Sequence, residues 1–128
     1  MGELVPGDDG LPAEEVGSWA TEKHDYLCRY IDISRGVRRM FVAPGKAGAT
    51  YVDLFCGPGR EKIKDGGFID GGCVAAWRKS VAGGAPFSKV YIADLDEERL
   101  NAALRLPVHR WRLSWARLRS QPARLSLS

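Results

Sequence analysis

Thr50-Tyr51-Val52-Asp53-Leu54-Phe55-Cys56-Gly57-Pro58-Gly59 is the stretch whose reading decides the fold. Its first six residues have the β-branched and aromatic content of a buried strand. Glycine at 57 and 59 allows backbone angles and close approaches that a side chain would block. The carboxyl end of a parallel strand is where open α/β sheets hold ligands, and Asp53 falls near that end. Lys89-Val90-Tyr91-Ile92-Ala93 reads as a second buried strand, and it runs directly into Asp94. In that position an acid can accept from both hydroxyls of a ribose. Gly-x-Gly alone is weak, because tight turns need glycine anyway. Two strands, each ending on an acid and one carrying the glycine turn, are more specific.

Working outward, Trp19, Tyr26, Leu27, Tyr30 and Ile31 recur at spacings of three and four, which predicts an amphipathic helix from about 18 to 34 with Ser18 as its N-cap. Gly36 is placed to stop it. Residues 56–72 read as a long, glycine-rich, charged loop, and 73–81 as a helix with Ala75, Ala76 and Trp77 available for packing. Gly83-Gly84-Ala85-Pro86 breaks that helix. Asp96 can cap another, whose Leu100, Ala103 and Leu104 share a face. Alternating helix and strand imply an α/β layer with parallel strands. The expected fold is therefore a partial Rossmann-like parallel sheet with an N-terminal helix, spanning residues 16–105. Residues 1–15, rich in Gly, Pro, Asp and Glu, read as a flexible leader.

Composition bounds the function. The 128 residues suit one domain or part of one. No apolar run approaches the ~20 residues of a membrane span, and the acidic N-terminus is no signal peptide. Cys28, Cys56 and Cys73 are too few and too scattered for a disulfide framework or a zinc site, so no metal and a reducing, cytoplasmic setting are expected. The net charge of +3 hides an asymmetry: residues 1–98 carry twelve cations and sixteen acids, whereas 99–128 carry seven arginines and no acid. Such a distribution is not a uniform nucleic-acid-binding face. Residues 106–128, built largely from Arg, Leu, Ser, Trp, Pro and Ala, form an atypical basic tail with no strand where a third is due. They read as an out-of-frame end or, alternatively, as a genuine basic helix or disordered arm. The Trp and Arg mixture at 110–119 would suit nucleic-acid contact, but only if the tail is genuine.

The glycine turn discriminates among cofactors. Lys62 stands where Gly-x-Gly-x-x-Gly needs its third glycine, and the next helix starts about a dozen residues late, so no helix N-terminus lies under a pyrophosphate. There is no Gly-x-x-x-x-Gly-Lys-Ser/Thr either. A cofactor without phosphates fits better, and S-adenosylmethionine has none.

Asp53-Leu54-Phe55-Cys56-Gly57-Pro58-Gly59 resembles the first motif of class I S-adenosylmethionine-dependent methyltransferases. With Trp19, Lys23-His24, Leu27, Tyr30, Tyr51 and Asp94, the region 18–105 resembles the narrower family of three-Cys-motif partner proteins. Gly71-Gly72-Cys73 departs from that family's Gly-Ser-Pro segment, and the match ends near Leu106. The resemblance implies bound S-adenosylmethionine, with Asp53, Phe55, Gly57 and Gly59 toward the methionine end and Asp94 on the ribose. It also implies a three-Cys-motif protein encoded nearby as partner. A methyltransferase, a non-catalytic partner protein on the same fold, and a nucleic-acid methyltransferase fragment remain alternatives. No Pro-Cys-Gln segment follows the turn, which disfavours cytosine C5 chemistry. No catalytic base is named. Lys23 and His24 either reach over the cofactor cleft or belong to a solvated helix face with Glu22 and Asp25. A reactive Cys56 would need a cationic neighbour. Arg60, Lys62 and Lys64 more often mark a solvated loop than a phosphate guide.

Overall fold

The computed structural model describes residues 2–106 together with the backbone of 111–115. In chain order the elements are β1 (Leu4–Pro6), β2 (Pro12–Val16), α1 (Trp19–Ile33), α2 (Arg35–Val42), β3 (Thr50–Asp53), β4 (Arg60–Ile63), β5 (Phe68–Asp70), α3 (Gly72–Ala82), β6 (Lys89–Ala93), α4 (Glu97–Leu104) and β7 (Trp111–Trp115). The chain is a mixed α/β protein with two sheets. One is wholly parallel, in the order β3-β6-β7, and the other is mixed, in the order β1-β2-β4-β5.

The parallel sheet arises where the apolar runs predict it. Tyr51 pairs with Val90 and Asp53 with Ile92, so β3 and β6 end side by side. Asp96 caps α4 by accepting from the Glu98 amide at 3.0 Å. Val90, Ile92 and Leu100 are fully buried, and they pack with Ile31 of α1 and with Cys73, Val74 and Trp77 of α3. Each such aliphatic side chain contributes about 1.5–3 kcal/mol by leaving water.

Several expectations are corrected. The leader is not a loose arm, because residues 4–6 and 12–16 form an antiparallel hairpin, with Val5 opposite Ala13. Its turn closes on Gly10 at φ 81°, and the Asp9 carboxylate accepts from the Leu11 amide. Arg99 of α4 holds the hairpin by donating to Glu14 at 2.9 Å and to the Gly2 carbonyl at 2.6 Å. The expected loop at 56–72 contains the β4–β5 hairpin, and β4 runs parallel to β2. Within the tail, residues 111–115 form a third parallel strand against β6, where none was expected. The remaining tail positions, 107–110 and 116–128, lie outside the described residues.

The first helix ends at Ile33, as the spacing predicts, although Gly36 lies inside α2 rather than at the stop. Ser34 donates its amide to the Tyr30 carbonyl and its carbonyl accepts from the Arg38 amide, both at 3.0 Å, but the helix is interrupted there, with Ser34 between the end of α1 and the start of α2. Arg38 fixes this junction from inside. Its buried guanidinium donates to the Ala85 carbonyl at 2.7 Å and to the Ile31 carbonyl at 2.9 Å, and it lies 5.0 Å from the Phe87 ring. The buried face of α1 matches the expected one in part, since Ile31 is buried and Leu27 packs on the core. Ala20 and Ile31 are buried, whereas Trp19, Tyr26 and Tyr30 face outward. Ser18 stands at the N-cap position, but its side chain makes no capping bond.

Candidate functional site

The site is built on the shared carboxyl end of β3 and β6. After Asp53 the chain turns sharply, and the Asp53 carboxylate accepts from the Phe55 amide at 3.0 Å. The Cys56 amide donates to the Ala93 carbonyl at 3.0 Å, which holds the turn beside β6. Asp94 completes the lock. One of its oxygens accepts from the Gly57 amide and the other from the Asp96 amide, each at 2.9 Å. With 3 % of its surface exposed, this carboxylate organises two loops from inside. Gly57 and Gly59 adopt φ of 62° and 80°, in the left-handed region that favours glycine. A Cβ on Gly71 would lie 3.0 Å from the Gly59 backbone, so the start of α3 approaches the turn more closely than a side chain would permit.

A cleft of about 180 Å³ opens above this turn. Lys23, His24, Phe55, Gly57 and Asp94 all line it, although they come from three separate stretches of chain. Trp19 and Phe55 are exposed at it, and Lys23 Nζ lies 5.7 Å from the Trp19 ring centroid. His24 is mostly buried, and its Nε2 lies 2.7 Å from Glu61 Oε1. His24 Nδ1 is buried with no hydrogen-bond partner among the described residues.

Two predicted residues stand apart. Asp53 does not line the cleft, since its carboxyl is turned back onto the Phe55 amide. Burial raises the Asp53 pKa above the usual carboxylate value, partly offset by that amide and by Lys23. Gly59 lines a different cleft of about 520 Å³, together with Trp77, Arg78 and Arg105. In that larger space Arg60 is already held between Asp8 and Asp70. Burial also pushes the Cys56 thiol well up, so it remains a protonated packing group rather than a nucleophile.

Glu61 and Glu14 line the cleft and were not anticipated. Both sit on short strands inside segments that read as loop and leader. The alternation at Arg60-Glu61-Lys62-Ile63 is too brief and too charged to announce a strand.

No family model, curated protein or solved structure matches this chain. Its functional reading therefore rests on the cleft and on the residues that form it.

Proposed function

We propose that the chain is an S-adenosylmethionine-binding, methyltransferase-like protein on a Rossmann-like frame, of the kind its glycine turn resembles. The observation that carries this reading is the convergence of Lys23, His24, Phe55, Gly57 and Asp94 on one cleft at the carboxyl ends of two parallel strands. The chemistry of the lining agrees with it. Trp19 and Phe55 present aromatic surface, and Glu14, Glu61 and Asp94 line the walls, with Glu14 paired to Arg99 and Glu61 to His24. Such a lining suits a cation beside an apolar body. S-adenosylmethionine carries a sulfonium and an ammonium, and Lys23 is the complement for its carboxylate. The volume is below the roughly 300–1,000 Å³ of sites that enclose a whole small molecule. The cleft accordingly takes the methionine end and leaves the nucleoside on the open side. Asp94, 3 % exposed and already accepting two backbone amides, fixes the turn beneath this cleft.

Non-catalytic binding is the second reading, and one observation favours it. His24, the side chain best suited to act as a base, is tied through Nε2 to Glu61 and has its other nitrogen buried. A three-Cys-motif protein as partner belongs to this proposal on resemblance alone.

Calorimetric titration tests the reading. S-adenosylmethionine should bind one site on the 128-residue chain, and more tightly than S-adenosylhomocysteine, which lacks the sulfonium charge. Lys23→Ala should weaken binding about tenfold without changing stability. Absence of saturable binding at millimolar ligand, with the chain folded by circular dichroism, would sink the proposal.

A further inference from the structure

The larger cleft, about 520 Å³, has no part in the cofactor reading, and it shares no lining residue with the smaller one. Its volume falls within the roughly 300–1,000 Å³ of sites that enclose a small molecule. The first turns of α3, the carboxyl end of α4 and the tip of the β1–β2 hairpin all line it. Val74 and Trp77, both buried, supply apolar surface from α3, Leu106 adds to it after α4, and Leu11 does so from the hairpin. Gly59 brings the glycine turn against this space. Its φ is 80°, and Val74 and Ala103 lie 3.4 and 3.7 Å from where a Cβ would stand.

The charged groups on its walls are not equally spent. Both oxygens of Asp8 accept from Arg60, at 3.0 and 2.7 Å. Asp70 accepts from Arg60 through one oxygen at 2.9 Å and pairs with Arg78 through the other at 3.0 Å. Asp8, Arg60, Asp70 and Arg78 thus form an alternating chain, neutral overall, that ties the hairpin tip to β4 and β5. The third acid, Asp9, is exposed and turns one oxygen onto the Leu11 amide. A guanidinium carries five N–H groups, and two of the arginines have most of theirs uncommitted. Arg78 meets Asp70 through one nitrogen. Arg105, exposed at the C-cap of α4, makes no side-chain ion pair or hydrogen bond among the described residues.

We propose that this cleft binds a small organic anion with a flat apolar body, its carboxylate or phosphate held by Arg78 and Arg105 and its body against Leu11, Val74, Trp77 and Leu106. Guanidinium forks meet either anion with paired, charge-assisted hydrogen bonds. A cation gains little here, because the carboxylates of Asp8 and Asp70 are already matched by arginine. The double bond from Arg60 to Asp8 fixes the hairpin tip, so Leu11 is in place before a ligand arrives and little ordering remains to oppose binding. The site stands without the cofactor reading, since none of its residues lines the smaller cleft.

Phenyl phosphate and phenylacetate, titrated into the full 128-residue chain and followed by NMR at the Leu11 amide and the Trp77 indole, test it. At least one should bind saturably with a Kd of about 1 mM or tighter. The tighter of the two names the anion. Benzylamine, the same ring with the opposite charge, should bind about tenfold more weakly or worse, and so should inorganic phosphate and acetate, which carry the charge without the ring. Arg78→Gln combined with Arg105→Gln, both at exposed positions, should weaken binding about tenfold or more while leaving the thermal melt of the chain in place. No saturable shift with either compound at about 10 mM, or binding indifferent to the double arginine variant, overturns the site. Benzylamine binding as tightly overturns the preference for an anion. Inorganic phosphate or acetate binding as tightly overturns the apolar body.

Discussion

Replacing Asp94 should damage the fold before it damages any ligand contact. Its carboxylate accepts two backbone amides, from Gly57 and Asp96, at 2.9 Å each. Hydrogen bonds to a charged acceptor contribute about 1.5–3 kcal/mol each, and their loss strands two donors in a buried turn. Asp94→Ala should therefore cost about 3–5 kcal/mol, a large share of the roughly 5–15 kcal/mol that holds a small domain together. Asp94→Asn should recover little, because its amide nitrogen would meet a backbone N–H with a donor. Urea denaturation followed by far-UV circular dichroism reads this directly. With a slope of about 1.5 kcal/mol/M, the midpoint should fall by at least about 2 M. A loss below about 1 kcal/mol would refute the reasoning and show that the turn holds itself. If S-adenosylmethionine affinity collapsed in such a stable variant, the carboxylate would be a ligand group first and a structural one second.

The two glycines of the turn should behave differently. A Cβ on Gly59 would lie within contact distance of Leu106 and Val74, and φ is 80°, so Gly59→Ala should cost about 2–4 kcal/mol by thermal melting. Nothing lies within 4 Å of a Cβ on Gly57, so Gly57→Ala should cost only the backbone strain, about 1–2 kcal/mol. Asp53 should set part of the acid-side profile. Its folded pKa is raised above 3.8 by burial, so the folded state holds the proton more tightly than the unfolded chain does. Stability from this group is present below pH 3.8 and is lost as pH rises through the elevated value. Asp53→Asn keeps an oxygen for the Phe55 amide, and it should be more stable than the wild type at pH 7 with a flatter profile above pH 3.8. An unchanged profile would remove Asp53 from the account.

Local signals made much of the parallel sheet legible. The apolar runs at 50–55 and 89–93, and the cap at Asp96, need no distant partner to be recognised. The two hairpins were hidden because their strands have three to five residues and their partners are remote. β2 at 12–16 finds β4 at 60–63, a pairing that Pro12, Glu14 and Lys62 do nothing to advertise. The first helix shows another limit. Spacings of three and four fit two stripes on the same segment, and the expected face merges them: Leu27 and Ile31 belong to the buried one, Trp19, Tyr26 and Tyr30 to the exposed one. The smaller Ala20, with Leu27 and Ile31, faces the core. Arg38 was indistinguishable from Arg39 by type, yet one is buried in a cage of carbonyls and the other is exposed. For the site, the glycine turn was readable and Glu61 was not, because its place depends on the unseen hairpin.

The clasp that Arg99 makes on Glu14 and Gly2 has a consequence for the order of assembly. The hairpin leaves the ribosome before either of its partners: its anchoring side chain arrives more than eighty residues later, and its pairing partner β4 nearly fifty residues later. Until then it is a two-stranded ribbon, too small to persist in water. Glu14 and Val16, which wall the cleft, gain their strand partner when β4 is made and the Arg99 anchor only when α4 is made. The cleft is therefore a late product of folding, and a nascent chain arrested before Arg99 would carry the glycine turn without the anchor of the wall that faces it.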